Sequence, residues 1–179
     1  IRANALRFTG IPKAKLMWEA CLIGPKKAEA SMPLFVTDQR PLHYPEPDSD
    51  SLQDAYDEIE LIGFSLSHDP FSMLRTSFRG DIFAGDMLKN TGKRLRMLGL
   101  LVAIKYVRTV NRDIMHFGCF LDARGEFFDT VHFPKSVKEH PFCGNGIYLI
   151  SGILTEEFGF PSLTVEKMAR MPLKPDPRQ

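Results

Sequence analysis

The side chains with the clearest chemical potential are six bases, Lys93, Arg94, Arg96, Lys105, Arg108 and Arg112, spread through a run of Leu, Val, Ile and Tyr. Cations spaced along such a run suit the repeated phosphates of a nucleic-acid backbone, and nearby aromatic rings can stack on its bases. A second set, His116, His132, Asp122 and Asp129, holds residue types able to bind a metal and activate water. No HExxH, GxSxG or phosphate-loop pattern accompanies them, and each histidine lies singly on a strand. This set therefore reads as structural, with no catalytic residue, metal ligand or cofactor expected. A third feature is an apolar island, Ser31-Met-Pro-Leu-Phe35, in proline-rich surroundings. Leu34 and Phe35 either plug a partner's pocket or fold back on the chain's own helices.

The elements that position the bases are strands. Arg94 to Arg108 is long for one strand and rich in Val, Ile and Leu, with Gly99 near its middle, so it can bend and serve two sheet faces. Ile114 to Leu121 and Phe127 to Phe133 follow, joined by a tight hairpin at Asp122-Ala-Arg-Gly125. Pro134 to His140 has helical composition. Residues 146–155 and 163–171 read as two further strands around a turn at Phe158-Gly-Phe-Pro161. Three strands, a helical crossover and two strands is the order of an OB-fold, a five-stranded barrel. The fold class expected is mainly β with flanking helices (α+β). Alternation in the second strand sets Met115, Phe117, Cys119 and Leu121 against Ile114, His116, Gly118 and Phe120. The first set looks like core, which makes His116 and Phe120 the expected base-stacking residues.

Charge is segregated along the chain although the net is only +1. From Asp38 to Glu60 eight acids face Arg40 alone, whereas from Asp81 to Asp113 seven bases face three acids. The basic excess falls on the first strand of the barrel and the hairpin after it. Three cysteines without a CxxC pair, Cys21, Cys119 and Cys143, suit a reducing, cytoplasmic setting. No apolar run is long enough to span a membrane.

Upstream of the barrel, Lys13 to Leu22 has helical periodicity after a turn at Thr9-Gly-Ile-Pro12, and this pair of pieces is either the end of a helix-hairpin-helix region or the edge of a helical domain. Residues 25–50 read as a linker. Ser51 to Phe64 reads as a helix with Ser51 as its N-cap and a buried stripe of Leu52, Ala55, Tyr56, Ile59 and Ile62. His68-Asp69-Pro70 reads as a capping turn. The expected organisation is 1–24, the end of a helix-hairpin-helix region; 25–50, a linker; 51–80, connecting helices; 81–173, the OB-fold; and 174–179, a tail. The opening Ile1 suggests a piece of a longer protein.

Three stretches, in order, resemble the alpha subunit of bacterial DNA polymerase III, a C-family replicative polymerase. Phe8-Thr-Gly-Ile-Pro-Lys-Ala-Lys-Leu-Met-Trp-Glu-Ala20 is similar to the end of that family's helix-hairpin-helix region. Asp57-Glu-Ile-Glu-Leu-Ile-Gly-Phe-Ser-Leu-Ser-His-Asp-Pro-Phe71 resembles its LGF-x-LS-x-HP segment, although Ser67-His-Asp-Pro70 departs from the usual Ser-Gly-His-Pro. Asp122-Ala-Arg-Gly-Glu-Phe-Phe-Asp-Thr-Val-His-Phe-Pro134 resembles its D-x-x-G hairpin and following strand. The resemblance implies a region past the catalytic domain of a DNA-directed DNA polymerase (a nucleotidyltransferase), itself non-catalytic, whose OB-fold binds single-stranded template. It implies further that Ser31, Met32, Leu34 and Phe35 bind the sliding clamp, with Ser31 where the family usually has glutamine. Other replisome subunits would be reached through the parent protein. The alternative on the barrel alone is an OB module of a tRNA-binding protein.

Overall fold

The computed structural model describes residues 1–22, 50–110 and 112–178. Ser31, Met32, Leu34 and Phe35 lie outside the described residues. The chain divides into two units, residues 1–69 with 175–179, and residues 70–174. The second unit thus begins ahead of the barrel proper and takes in part of the segment expected to be connecting helices.

In the second unit, β1 (Arg94–Arg108), β2 (Ile114–Leu121), β3 (Phe127–His132), β4 (Ile147–Glu157) and β5 (Phe160–Arg170) close into a barrel in the order β1-β2-β3-β5-β4. All neighbours are antiparallel except β3 and β5, which run parallel. The short helix Pro134–Glu139 makes the crossover between β3 and β4. This is the OB topology, with the two last strands longer than composition indicated and the turn between them reduced to Phe158 and Gly159.

The barrel closes because β1 serves two partners. Its first half, Arg94 to Leu100, pairs with β4, and its second half, Leu100 to Arg108, pairs with β2. Gly99 sits at the handover, where an added Cβ would come within 2.7 Å of Phe120 Cβ and Phe128 Cζ. The missing side chain lets both rings press against the strand, and a register irregularity at Leu101/Ala103 completes the bend. The barrel core is Met97, Phe120, Phe128, Tyr148, Ile150, Leu154 and Leu163, closed at one side by Met87. Tyr148 carries its hydroxyl inside by accepting from Cys143 N and donating to Gly144 O.

A smaller cluster, Phe71, Leu74, Leu98 and Ile147, covers the outer face of β1 and β4. A bridge between Leu74 and Leu173 ties the two ends of this cover together. The face outside β2, β3 and β5 carries no such layer among the residues of these clusters.

In the first unit, α1 (Lys13–Leu22) and α2 (Ser51–Ile62) are the helices the spacing indicates. The N-cap of α2 is Asp50 rather than Ser51, its side chain accepting from Leu52 N. The buried face of α2 also differs from the apolar stripe: Ala55 is buried beside Asp57 and Glu58, while Ile62 is exposed. Ion pairs at Asp57 and hydrogen bonds at Glu58 make this possible. Asp57 bonds Lys13 and Arg178, and Glu58 receives Leu66 N, Ser67 N and the Ser65 and Ser67 hydroxyls. Burial works to raise the Glu58 carboxyl, but these four donors outweigh it and hold it below the usual glutamate range. The stretch from Asp57 to His68 is therefore a helix end whose carboxylate gathers the following loop. His68, its Nδ1 3.3 Å from Ser67 Oγ, belongs to that loop.

Candidate nucleic-acid interface

Residues directly opposite in an antiparallel pair share a face, so register decides which side chains meet. On the outer face, Lys105 stands opposite Phe117, and Phe117 opposite Val131; the next row is Ala103, Cys119 and Asp129. The parallel pairing extends these rows to Thr164 and Ser162 on β5. A shallow depression of about 270 Å³ lies here, lined by Lys105, Phe117, Cys119 and Asp129 among others. Phe117 is 39% exposed and Phe127, on the same face, is 64% exposed. The Cys119 thiol is pushed up by burial and by Asp129, which keeps it a neutral wall residue.

This placement inverts the expected faces of β2. Phe120, expected to stack on bases, is 0% exposed and lies inside the barrel, 5.5 Å from Phe128 centroid to centroid. His116 shares its row, half-buried, edge-on to Tyr106 at 4.6 Å and 5.8 Å from Phe142. The inversion has a local cause. Gly118 lies on the inner row, where a Cβ would meet Thr130 Oγ1 at 2.7 Å and the Phe120 ring at 2.8 Å. The row containing a glycine looked the less apolar in sequence, yet the glycine is what lets Phe120 and Phe142 fill the interior. The outward aromatic that the residue pattern did not indicate is Phe117; Tyr106, although 65% exposed, lies on the opposite side of the β1–β2 ribbon against His116. The signal available was Gly118 itself, a small residue in the middle of a strand.

The six bases do not form one patch. Lys93, Arg94 and Arg96 belong to the start of β1, beside β4. Lys93 Nζ bonds Asn90 Oδ1 at 3.0 Å, and Arg94 pairs with Glu166 at 2.7 Å. Arg96 makes a two-pronged contact with Asp81 and lies over the Phe78 ring at 4.8 Å. Lys105, Arg108 and Arg112 lie on the second half of β1 and the hairpin to β2, and none makes an ion pair among the described residues. On this ribbon Lys105 shares a face with Phe117, while Arg108, two residues beyond Tyr106, shares the opposite one. Arg112, at φ 66°, sits at the turn, which is closed by Thr109 N to Asp113 O and Arg112 N to Thr109 O. Free cations thus bracket both an exposed phenylalanine and an exposed tyrosine.

Of the metal-type residues, Asp129 lines this face, whereas Asp122, His116 and His132 lie off it. Asp122 is a turn residue, accepting from Arg124 N, Glu126 N and Ala84 N. His132 is fully buried, its Nε2 2.9 Å from Thr130 Oγ1. Burial first, and then the neighbouring His116 charge, push its pKa down to about 4. No group of three or more His, Cys, Asp and Glu among the described residues is placed to hold a metal ion. No described helix is long and apolar enough to cross a membrane.

No protein-family model matches the chain, and no curated protein matches it. Solved structures similar to it include the second OB-fold domain of replication protein A from Methanococcus maripaludis (10% identity, TM-score 0.34, 45% of this chain and 85% of that one). Another is the S. pombe Stn1–Ten1 complex (12%, 0.42, 52% and 79%). A third is the mitochondrial single-stranded DNA-binding protein Rim1 of S. cerevisiae (8%, 0.36, 44% and 95%). At this level of similarity the fold assignment rests on the strand order itself.

Proposed function

We propose that the barrel binds single-stranded DNA across its β2–β3–β5 face, within a region of a replicative C-family polymerase that also carries a clamp-binding peptide. The observation that carries the DNA reading is the pairing of outward Phe117 with Lys105 on the face left uncovered, flanked by the unpaired Arg108 and Arg112. Phosphates would run along the cationic ribbon, while bases stack on Phe117. Stacking of this kind contributes roughly 1 to 3 kcal/mol per base with little sequence preference. The side chains present position and hold a strand, and the region supplies no catalytic group of its own. The polymerase and clamp parts rest on the three resembling stretches and on the place of Ser31 to Phe35 between them. A short peptide of this type binds weakly alone and usefully when tethered to a DNA-bound module.

The test is an anisotropy titration of labelled oligo-dT at several salt concentrations. Wild-type binding weakens with salt, and replacing Lys105, Arg108 and Arg112 by Ser reduces the slope by about two, given about 0.7 per phosphate contact. Phe117→Ala weakens binding roughly 5- to 150-fold with the slope kept, which is the range of one lost stack. Phe120→Ala instead destabilises the barrel by about 3 to 5 kcal/mol as a core truncation. No binding at low salt, or preference for tRNA over oligo-dT, overturns the template reading. Clamp binding is tested separately: Leu34→Ala with Phe35→Ala abolishes capture by a bacterial sliding clamp if the peptide reading holds.

A further inference from the structure

The tip of the β4–β5 hairpin is built at odds with its own stability. Glu157 and Phe160 are the last cross-strand pair, so Phe158 and Gly159 form a two-residue turn. Their φ angles are 53° and 83°, the φ signature of a type I′ turn, for which Asn-Gly is the favoured pair. Gly159 meets the requirement. Phe158 does not, because a bulky side chain in the left-handed region is strained. Among the described residues nothing rewards the strain, since Phe158 is 100% exposed and Phe160 is 78% exposed. Backbone strain that presents a side chain to solvent is a mark of a working surface.

The local charge distinguishes this tip from the rest of the β2–β3–β5 face. Two residues back from the Asp129–Ser162 pair, Phe127 and Phe160 stand on the same outer side of β3 and β5. The carboxylates next to these rings are Glu156 and Glu157 before the turn and Glu126 beside Phe127, all exposed, while Arg124 of the same turn is engaged over the Phe83 ring. The cations of the neighbouring strand are turned elsewhere, Lys93 to Asn90 and Arg94 to Glu166. Carboxylates repel phosphates, so the tip repels a strand that the Lys105 ribbon attracts.

We propose that Phe158, Phe160 and Phe127, ringed by Glu156 and Glu157, form a docking surface for a segment of another polypeptide that carries Lys or Arg between large apolar side chains. The apolar side chains of the partner cover the rings, and its cations meet the carboxylates. This surface adjoins the proposed DNA interface on the outer side of β3 and β5, at the hairpin end away from the Lys105 ribbon, and stands whether or not that interface does.

The experiment follows backbone amide shifts of the isotope-labelled 179-residue chain during titration with three probes. These are a cationic peptide (Ac-Lys-Leu-Lys-Trp-Lys-Leu-Lys-amide), its counterpart with Glu for every Lys, and oligo-dT. The cationic peptide is expected to shift amides of Glu156 to Ser162 and of Phe127 saturably, and the acidic one is not. Phe158→Asn weakens that binding at least fivefold while raising Tm by a few degrees, because the turn strain is relieved. Glu156→Gln with Glu157→Gln weakens it as well, and oligo-dT affinity stays within twofold in both variants. The proposal fails if the cationic peptide shifts the hairpin no more than the acidic one, or if Phe158→Asn leaves peptide binding unchanged. It fails equally if oligo-dT shifts the hairpin and loses affinity in Phe158→Asn, which makes the tip a base-stacking element. Concentration-dependent sedimentation that Phe158→Asn abolishes assigns the surface to a second copy of the chain and also overturns it.

Discussion

Replacing His132 by leucine should flatten the acid sensitivity of the barrel. His132 is fully buried with its ring 4.8 Å from that of Phe142. Thr130 Oγ1 donates to Gly118 O, so His132 Nε2–H donates to Thr130, and the unprotonated Nδ1 has no partner among the described residues. A proton added at Nδ1 has no acceptor and faces His116 across the strand pair. The unfolded chain takes up this proton near pH 6.5, whereas the folded barrel resists until about 4. Between those values the unfolded state binds more protons, so stability is fully present above 6.5 and is lost as pH falls towards 4. At 1.36 kcal/mol per unit the full loss is about 3 kcal/mol. With a urea dependence of about 1 to 1.5 kcal/mol/M, the wild-type midpoint, read by far-ultraviolet circular dichroism, drops by roughly 2 M between pH 7.5 and 4.5. In His132→Leu most of that drop disappears. A shallower slope remains because burial lowers His116 in the same direction. Parallel wild-type and variant profiles would refute the reasoning, since the buried imidazole would then not be the group resisting protonation.

Two further outcomes follow from the described contacts. Glu58→Gln leaves the Leu66 and Ser67 amides without their charged acceptor and costs about 2 to 3 kcal/mol, read as faster hydrogen exchange at those two amides. Because the folded carboxyl is held below the usual range, that stabilisation is present above the ordinary glutamate pKa and is lost as pH falls through the depressed folded value. Gly152→Ala prevents barrel closure, because its Cβ would lie 2.0 Å from the Thr164 carbonyl oxygen at the β4–β5 irregularity. The obstacle is backbone, so no trimming of neighbouring side chains rescues the thermal melt.

The order of elements was legible in the amino-acid sequence because it is local information. Arg94–Arg108 and Ile114–Leu121 are the strands that β-branched content indicated, and the Pro134 helix lies where proline starts it. Once three strands, a crossover and two strands are in place, few closures besides the OB barrel remain. Ends were less legible: β5 takes in Phe160 and Pro161, which read as turn residues, because pairing with β4 continues to the last two residues of the hairpin.

Which side of each strand faces inward was decided only by tertiary structure. Period-two alternation names two sets of residues and cannot say which is core when both are apolar. On β2 the choice fell to Gly118, whose missing Cβ makes room for Phe120 and Phe142, and that turned Phe117 to the surface beside Lys105. The same limit applied to charge. Six bases in one run read as a single patch, but the bend at Gly99 sends Arg94 and Arg96 to acidic partners on one side of the barrel and leaves Lys105 and Arg108 free on another. Residue types and their order determine the barrel; closing it determines which side chains meet a ligand, because that depends on partners far apart in the chain.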